Sequence, residues 1–115
     1  AMVVIHHNPA CGTSRNALAA IEAAGVRPVV IEYLKTGWTR AQMLGLFAAA
    51  GLTPRAALRV KGALAAELGL TEEGVDDETI LAAMVAHPVL VERPIVCAPK
   101  GVRLCRPVER LREIL

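Results

Sequence analysis

One short segment organises the chain, and it reads His6-His7-Asn8-Pro9-Ala10-Cys11-Gly12-Thr13-Ser14-Arg15. The apolar run Val3-Val4-Ile5 precedes this segment, and an alanine-rich pattern with helical spacing follows it. The order predicts a strand, a tight loop and the start of a helix, with Cys11 at the helix N-terminus. Unpaired backbone N–H groups and the positive end of the helix dipole favour negative charge at that position. A thiol there ionises more easily, so Cys11 is a candidate nucleophile as well as a candidate packing residue.

Length and composition limit the class of protein. The chain has 115 residues, of which 3% are aromatic, and its formal net charge is +2. We therefore expect a single domain over residues 2–115 with an aliphatic core. The charge is too small to indicate a nucleic-acid or membrane partner. No apolar run approaches the roughly 18 residues that a spanning helix requires, and the N-terminus has no signal-peptide pattern, so we expect a cytoplasmic protein.

The cysteine content also indicates a reducing compartment, because three cysteines cannot all pair with one another. Their spacing does not suit a zinc site. Adjacent side chains on a strand point in opposite directions, so His6 and His7 cannot chelate one metal ion together. We therefore expect no metal site. Cys97 falls in an apolar run, and we expect it to be an inert core thiol.

Patterns in the first two thirds of the chain predict strands and helices in alternation. Residues 3–6 and 28–32 have the composition of strands, and the helical pattern between them stops at Gly25. Residues 39–42 match a capping box, which predicts the start of a second long helix. Glycines interrupt the helical pattern over residues 53–87, so we expect several short helices there.

The last third of the chain changes period. Residues 95–98 and 102–105 are apolar runs separated by Pro99-Lys100-Gly101, a typical hairpin turn composition. Arg106-Pro107 then opens a predicted final helix with an apolar stripe of Leu111, Ile114 and Leu115. The whole order predicts an α/β protein with one mixed four-stranded sheet flanked by helices. Such a sheet is found in the thioredoxin- and glutaredoxin-like folds, and here a helical insertion precedes the last two strands.

Four blocks of sequence carry a family resemblance. In order, they are His7-Asn8-Pro9-Ala10-Cys11-Gly12-Thr13-Ser14-Arg15-Asn16, Arg55-Ala56-Ala57-Leu58-Arg59, His87-Pro88-Val89-Leu90-Val91-Glu92-Arg93-Pro94-Ile95-Val96 and Gly101-Val102-Arg103-Leu104-Cys105-Arg106-Pro107. Together they resemble the glutaredoxin-coupled arsenate reductases over nearly the whole chain. The resemblance implies that Cys11 attacks arsenate and that Arg59, Arg93 and Arg106 hold the oxyanion. Guanidinium groups suit this task, because they offer paired donors in a fixed geometry.

The same resemblance implies the course of the reaction. Arsenate is reduced to arsenite through a covalent intermediate between the Cys11 thiolate and arsenate. Glutathione, a co-substrate rather than a bound cofactor, attacks this intermediate, and a glutaredoxin completes the reduction. The enzyme needs no second thiol, which agrees with Ser14 at the position where CxxC oxidoreductases carry one. The resemblance also implies a cis peptide bond before Pro94.

Two residues of the first block are further candidates for catalysis. A protonated His7 would stabilise the Cys11 thiolate by its charge. Ser14 lies three residues after Cys11 in the first helical turn, so we expect its hydroxyl to donate to the thiolate. A loop histidine and a helix N-cap serine are the structural alternatives for these two residues.

Two other functions remain open on the sequence. A glutathione-dependent thiol oxidoreductase of the same fold, acting on another substrate, would use the same site chemistry. A non-enzymatic regulator like the Spx-type proteins would be a binding module, but these proteins typically carry CxxC and lack the full arginine set. Measured turnover discriminates between these functions. The expected partners are arsenate, glutathione and a glutaredoxin, with no nucleic acid and no membrane, and we expect a monomer.

Overall fold

The structure is a computed structural model that describes residues 2–115, and its elements follow the predicted order. The strands are β1 (Val4–His7), β2 (Val29–Glu32), β3 (Ile95–Ala98) and β4 (Gly101–Leu104). The α-helices are α1 (Gly12–Ala23), α2 (Tyr33–Thr36), α3 (Arg40–Ala50), α4 (Pro54–Ala57), α5 (Leu64–Glu67) and α6 (Asp77–Ala86). Short 3₁₀-helices span Pro88–Leu90 and Val108–Glu113.

Internal contacts divide the chain into two compact units. The sheet unit comprises the residues up to Thr36 together with Arg93–Leu115, and it contains all four strands. The helical unit is Gly37–Glu92, which is the insertion before the last two strands. The single domain that we expect from the chain length stays a prediction.

The sheet unit contains a mixed sheet with the strand order β2-β1-β3-β4. β1 and β2 are parallel, so they need a crossover connection, which α1 supplies. The other neighbouring pairs are antiparallel. Pro99 and Lys100 form the turn between β3 and β4, and Gly101 follows with a φ of 150°, which favours glycine. The predicted mixed four-stranded sheet with flanking helices is confirmed.

A buried apolar cluster joins the sheet to α1 and to the C-terminal 3₁₀-helix. Its members come from strands, helices and connecting residues: Val3, Ile5, Ala17, Ile21, Val96, Cys105, Leu111 and Ile114. Burial of each large apolar side chain contributes about 1.5–3 kcal/mol. The cluster holds β1 and α1 against each other, so the loop that contains Cys11 is anchored at both ends.

The final helix predicted after Arg106-Pro107 is present, and it is a 3₁₀-helix over Val108–Glu113. The apolar residues explain this geometry. Val108, Leu111 and Ile114 are three residues apart, which matches the three residues per turn of a 3₁₀-helix. In this geometry all three side chains pack against the core cluster, and Leu111 and Ile114 are buried. Backbone N–H groups of this segment donate to carbonyls three residues earlier, as between Arg110 and Pro107 at 3.1 Å.

Local capping signals define the helices of the helical unit. Thr39 and Gln42 form the predicted capping box at the start of α3, and Gly51 ends this helix with a φ of 69°. Thr53 caps α4, and Asp76 caps α6 by accepting from the Thr79 N–H group. The several short helices predicted for this region are confirmed. Within residues 2–115 no helix is both long and apolar enough to cross a membrane.

Candidate active site

The loop between β1 and α1 holds Cys11 at the start of the helix. Cys11 is the N-cap residue of α1, as the sequence predicts, and its N–H donates to the Asn8 carbonyl at 3.0 Å. The Asn8 side-chain oxygen accepts from the Ala10 N–H at 3.0 Å. Arg15 closes the loop from outside, because its Nη1 donates to the Pro9 carbonyl at 2.9 Å. These bonds fix the backbone around the thiol, which is partly exposed.

Several hydrogen-bond donors surround the Cys11 sulfur. The Arg106 Nη1 atom donates to Sγ at 3.7 Å, and the backbone N–H of Ser14 and the Arg93 guanidinium also favour the thiolate. Partial burial disfavours the charged thiolate, but these donors and the positive charge of Arg93 outweigh it. The pKa of the Cys11 thiol therefore lies below its ordinary value. A larger thiolate fraction makes this cysteine the reactive one.

The backbone near β3 and β4 places the two arginines beside Cys11. Arg93 precedes the cis proline Pro94, the isomer that the resemblance implies, and Arg93 is only 7% exposed. The Cys105 N–H donates to the Pro94 carbonyl at 2.9 Å. The next residue, Arg106, donates from Nη1 to the Arg93 carbonyl at 3.0 Å. The guanidinium groups of Arg93 and Arg106 thus lie at the same sulfur atom. Arg93 comes from the segment before β3, and Arg106 comes from the segment after β4.

Ser14 is fully buried, and its hydroxyl is directed away from the thiolate. Its Oγ lies 2.7 Å from Nδ1 of His7 and accepts from the Asn8 N–H at 3.1 Å. Helical side chains tilt toward the helix N-terminus, so Ser14 points back to the end of β1, where His7 lies. The structure pairs the hydroxyl that could donate to the thiolate with His7 and with the Asn8 N–H. The backbone N–H of Ser14 lowers the pKa of the Cys11 thiol.

His7 is a neutral partner of Ser14. Burial lowers the pKa of His7, the Arg15 charge adds to this effect, and the Glu32 carboxylate opposes it. One hydrogen bond of 2.7 Å joins Nδ1 of His7 to Ser14 Oγ. The lowered pKa favours the neutral imidazole near neutral pH, so the charge that a protonated His7 would bring to the thiolate requires a lower pH. His7 instead orients the Ser14 side chain.

Arg59 belongs to the helical unit and is held there by backbone pairing. Leu58 and Val91 form an antiparallel bridge, and the Arg59 N–H donates to the Leu90 carbonyl at 2.8 Å. The Arg59 Nη1 donates to Oε1 of Glu92 at 2.8 Å, and the two side chains are 16% and 21% exposed. Sequence analysis gave no role to Glu92. Nothing local marks this pair, because 33 positions separate its two residues.

The other two cysteines have the opposite electrostatic environment. Burial raises the pKa of Cys97, which lies in β3, and raises that of Cys105 to about 11. Cys105 is fully buried within the core cluster. Both thiols remain protonated near neutral pH, whereas the lowered pKa of Cys11 gives it a larger thiolate fraction. The arrangement thus provides one activated nucleophile beside two guanidinium groups, which is suited to covalent chemistry on an oxyanion.

Comparison with known proteins gives consistent results. The ArsC family model matches residues 6–114. The arsenate reductase ArsI2 of Synechocystis sp. is 66% identical and covers 99% of this chain and 81% of its own length. The arsenate reductase of Escherichia coli K12 is 47% identical over 98% of this chain and 80% of its own.

Solved structures agree with the sequence comparisons. The arsenate reductase from Vibrio cholerae superimposes with a TM-score of 0.93 and is 43% identical, over 99% of this chain and 98% of its own. The match includes the four-stranded sheet, so the predicted thioredoxin-like fold is confirmed. The extent of the family match and the identity of these relatives lead to one assignment, which is that the chain belongs to the ArsC family.

Proposed function

We propose that this protein reduces arsenate to arsenite through the thiolate of Cys11, with glutathione as co-substrate and a glutaredoxin as the final thiol donor. Arsenate reductase is the name of relatives that are 47–66% identical over nearly the whole chain. The chain is accordingly an arsenate reductase, an oxidoreductase of arsenic resistance. The observation that carries the mechanism is the position of Arg106 beside the Cys11 sulfur, at 3.7 Å.

Substrate binding is assigned to three arginines. Arsenate is a tetrahedral oxyanion with negative charge near neutral pH, and guanidinium groups bind such anions through short, charge-assisted hydrogen bonds. Arg93 and Arg106 both donate to the Cys11 sulfur, so an oxyanion bound to them has its central atom within reach of the thiolate. Arg59 is the third arginine of this set, because it lies in one of the sequence blocks that resemble the family.

The first covalent step is displacement at arsenic. The Cys11 thiolate forms a sulfur–arsenic bond, one arsenic–oxygen bond breaks, and the oxygen leaves as water after protonation. Arg93 and Arg106 stabilise the negative charge on the remaining oxygens. The Ser14 N–H stabilises the thiolate before attack, and His7 is a positioning residue that orients Ser14.

Reduction requires two further thiols. The glutathione thiolate forms a second sulfur–arsenic bond as another oxygen leaves as water. A glutaredoxin thiolate then attacks the glutathione sulfur and forms a disulfide with it, and the electron pair of the broken sulfur–arsenic bond stays on arsenic. Arsenic is thereby reduced from the pentavalent to the trivalent state. Hydrolysis of the remaining bond to Cys11 releases arsenite and regenerates the thiol.

External thiols are favoured because this chain offers no reactive partner for Cys11. Ser14 occupies the position that a second cysteine takes in CxxC oxidoreductases. Burial raises the pKa values of Cys97 and Cys105, so neither attacks readily as a thiolate. We also propose that residues 2–115 form one thioredoxin-like domain, which the family match over residues 6–114 supports, and that the protein acts as a cytoplasmic monomer.

Omission of single components tests this proposal. NADPH consumption is followed in a mixture of the protein, arsenate, glutathione, glutaredoxin and glutathione reductase. We expect turnover only when all components are present. Turnover that persists without glutathione or without glutaredoxin would contradict the proposed thiol sequence. Absence of turnover in the complete mixture would contradict arsenate as the substrate and favour another substrate for the same thiol.

A further inference from the structure

A cleft beside the active-site thiol has no role in the reaction described so far. It has a volume of about 360 Å³ and lies between the first turns of α1 and the start of the C-terminal 3₁₀-helix. Its lining residues are Thr13, Asn16, Arg106, Pro107, Val108 and Glu109. One wall is therefore the same Arg106 whose guanidinium lies 3.7 Å from the Cys11 sulfur. Cys11 itself does not line the cleft, so Arg106 is the residue that connects the cleft with the thiol.

The volume and the lining suit a small polar ligand. Small-molecule sites have volumes of about 300–1,000 Å³ and carry a few well-placed polar groups. Thr13 and Asn16 are three residues apart on α1, so their side chains lie on the same face of the helix. Glu109 supplies a negative charge on the opposite wall, and none of the ion pairs found among residues 2–115 involves it. The cleft thus has a positive charge, Arg106, at the end nearer the thiol and a negative charge, Glu109, farther along.

We propose that this cleft binds the glutathione that attacks the arsenic adduct, an inference that rests on the proposed function. Glutathione carries an ammonium group and two carboxylates at a distance from its thiol. In the cleft, the Glu109 carboxylate pairs with the ammonium group, and the Asn16 amide binds the adjacent carboxylate. The thiol end lies next to Arg106, which stabilises the incoming thiolate as it does that of Cys11.

The cleft continues in a direction that fits an extended peptide. A second cleft of about 350 Å³ shares Asn16, Val108 and Glu109 with the first and runs along α1 past Ala20. The γ-glutamyl end of the tripeptide is directed toward this extension. Glu109 lines both clefts, so we expect a ligand with a positive charge distant from its thiol to bind better than a simple thiol.

A charge-removing variant and a matched analogue test the assignment. Glu109→Gln is compared with Glu22→Gln, which makes the same change at an exposed site on α1 outside both clefts. We expect Glu109→Gln to raise the glutathione KM by about fivefold, the value of a favourable exposed ion pair, and to leave the arsenate KM unchanged. With a glutathione analogue that lacks the ammonium group, Glu109→Gln and the unsubstituted protein should behave alike. A change in glutathione KM no larger than that of Glu22→Gln would overturn the proposal.

Direct binding separates this inference from the proposed function. S-methylglutathione fits the cleft but has no thiol, so its dissociation constant can be measured by calorimetry without turnover. We expect about fivefold weaker binding in Glu109→Gln than in Glu22→Gln, whether or not arsenate is reduced. Equal binding by the two variants, or no binding by the unsubstituted protein, would overturn the cleft assignment even if arsenate turnover is normal.

Discussion

The guanidinium of Arg106 lies 3.7 Å from the Cys11 sulfur, although 95 positions separate the two residues. The contact is possible because the β3–β4 hairpin and β1 belong to one sheet. Arg106 follows β4, and Cys11 follows β1. The sheet therefore brings the Cys11 thiol and the Arg106 guanidinium together, and we expect the reactivity of Cys11 to depend on this long-range contact.

Removal of the Arg106 charge should reduce the reactivity of Cys11. Arg106→Ala removes one donor to the thiolate, so the pKa of Cys11 should rise toward its ordinary value. At about pH 6, Cys11 should be alkylated more slowly in Arg106→Ala than in the unsubstituted protein. In the unsubstituted protein, Cys11 should be alkylated far faster than Cys97 or Cys105. Alkylation rates from peptide mapping across a pH series measure this effect. Arg27→Ala, at an exposed site, is the control, and equal rates in both variants would contradict the assignment.

The buried hydroxyl of Ser14 should contribute to folding as well as to the site. Ser14→Ala leaves Nδ1 of His7 and the Asn8 N–H without their partner, and an unsatisfied buried polar group costs about 1–3 kcal/mol. We expect the free energy of unfolding, from urea titration, to fall by about that amount. Thr71→Ala removes a similar hydroxyl at an exposed position. A stability loss no greater than that of Thr71→Ala would show that the Ser14 bonds contribute nothing.

Stability should also depend on pH through the buried His6. Burial lowers the pKa of His6 from 6.5 to about 4, so between these values the unfolded chain binds a proton that the folded protein does not. The free energy of unfolding should therefore decrease as the pH falls through this range, by up to about 1.4 kcal/mol per pH unit. His7 contributes in the same direction. Urea titrations from pH 7 to about pH 5 should show a shallower slope for His6→Gln, and an unchanged slope would contradict this role.

Arg59 should affect arsenate binding rather than the thiol steps. If Arg59 holds the oxyanion, as we propose, Arg59→Ala removes charge-assisted hydrogen bonds of about 1.5–3 kcal/mol each, so the arsenate KM should rise roughly tenfold or more. The glutathione KM should remain unchanged. Arg40→Ala is a suitable control, since Arg40 forms an exposed ion pair with Glu78 in the same unit. Steady-state kinetics with each substrate varied in turn measures both KM values. The same arsenate KM in Arg59→Ala and Arg40→Ala would contradict the assignment of Arg59 to arsenate binding.

Local patterns in the sequence predicted most of the fold. The capping box at Thr39, the hairpin turn at Pro99-Lys100 and the position of Cys11 at the start of α1 all depend on neighbouring residues, so they are readable from short segments. The final helix was predicted, but its 3₁₀ geometry was not. Its apolar residues fit both periods over such a short length, and packing against the core decided between them.

Contacts between distant residues account for what the sequence did not predict in the site. The Ser14 hydroxyl was expected at the thiolate, but it bonds with His7, because the angle between β1 and α1 directs it there. The neutral state of His7 follows from burial, which no residue pattern reports. The pairing of Arg59 with Glu92 depends on a backbone bridge between Leu58 and Val91, which has no local sequence signal.

The identity of the nucleophile is tested most directly by single cysteine variants in the coupled assay. NADPH consumption with arsenate, glutathione, glutaredoxin and glutathione reductase is compared for the unsubstituted protein, Cys11→Ser and Cys97→Ser. We predict that Cys11→Ser abolishes arsenate-dependent turnover and that Cys97→Ser, which removes a thiol of raised pKa, retains it. Arsenate-dependent turnover by Cys11→Ser at the rate of the unsubstituted protein would contradict Cys11 as the nucleophile.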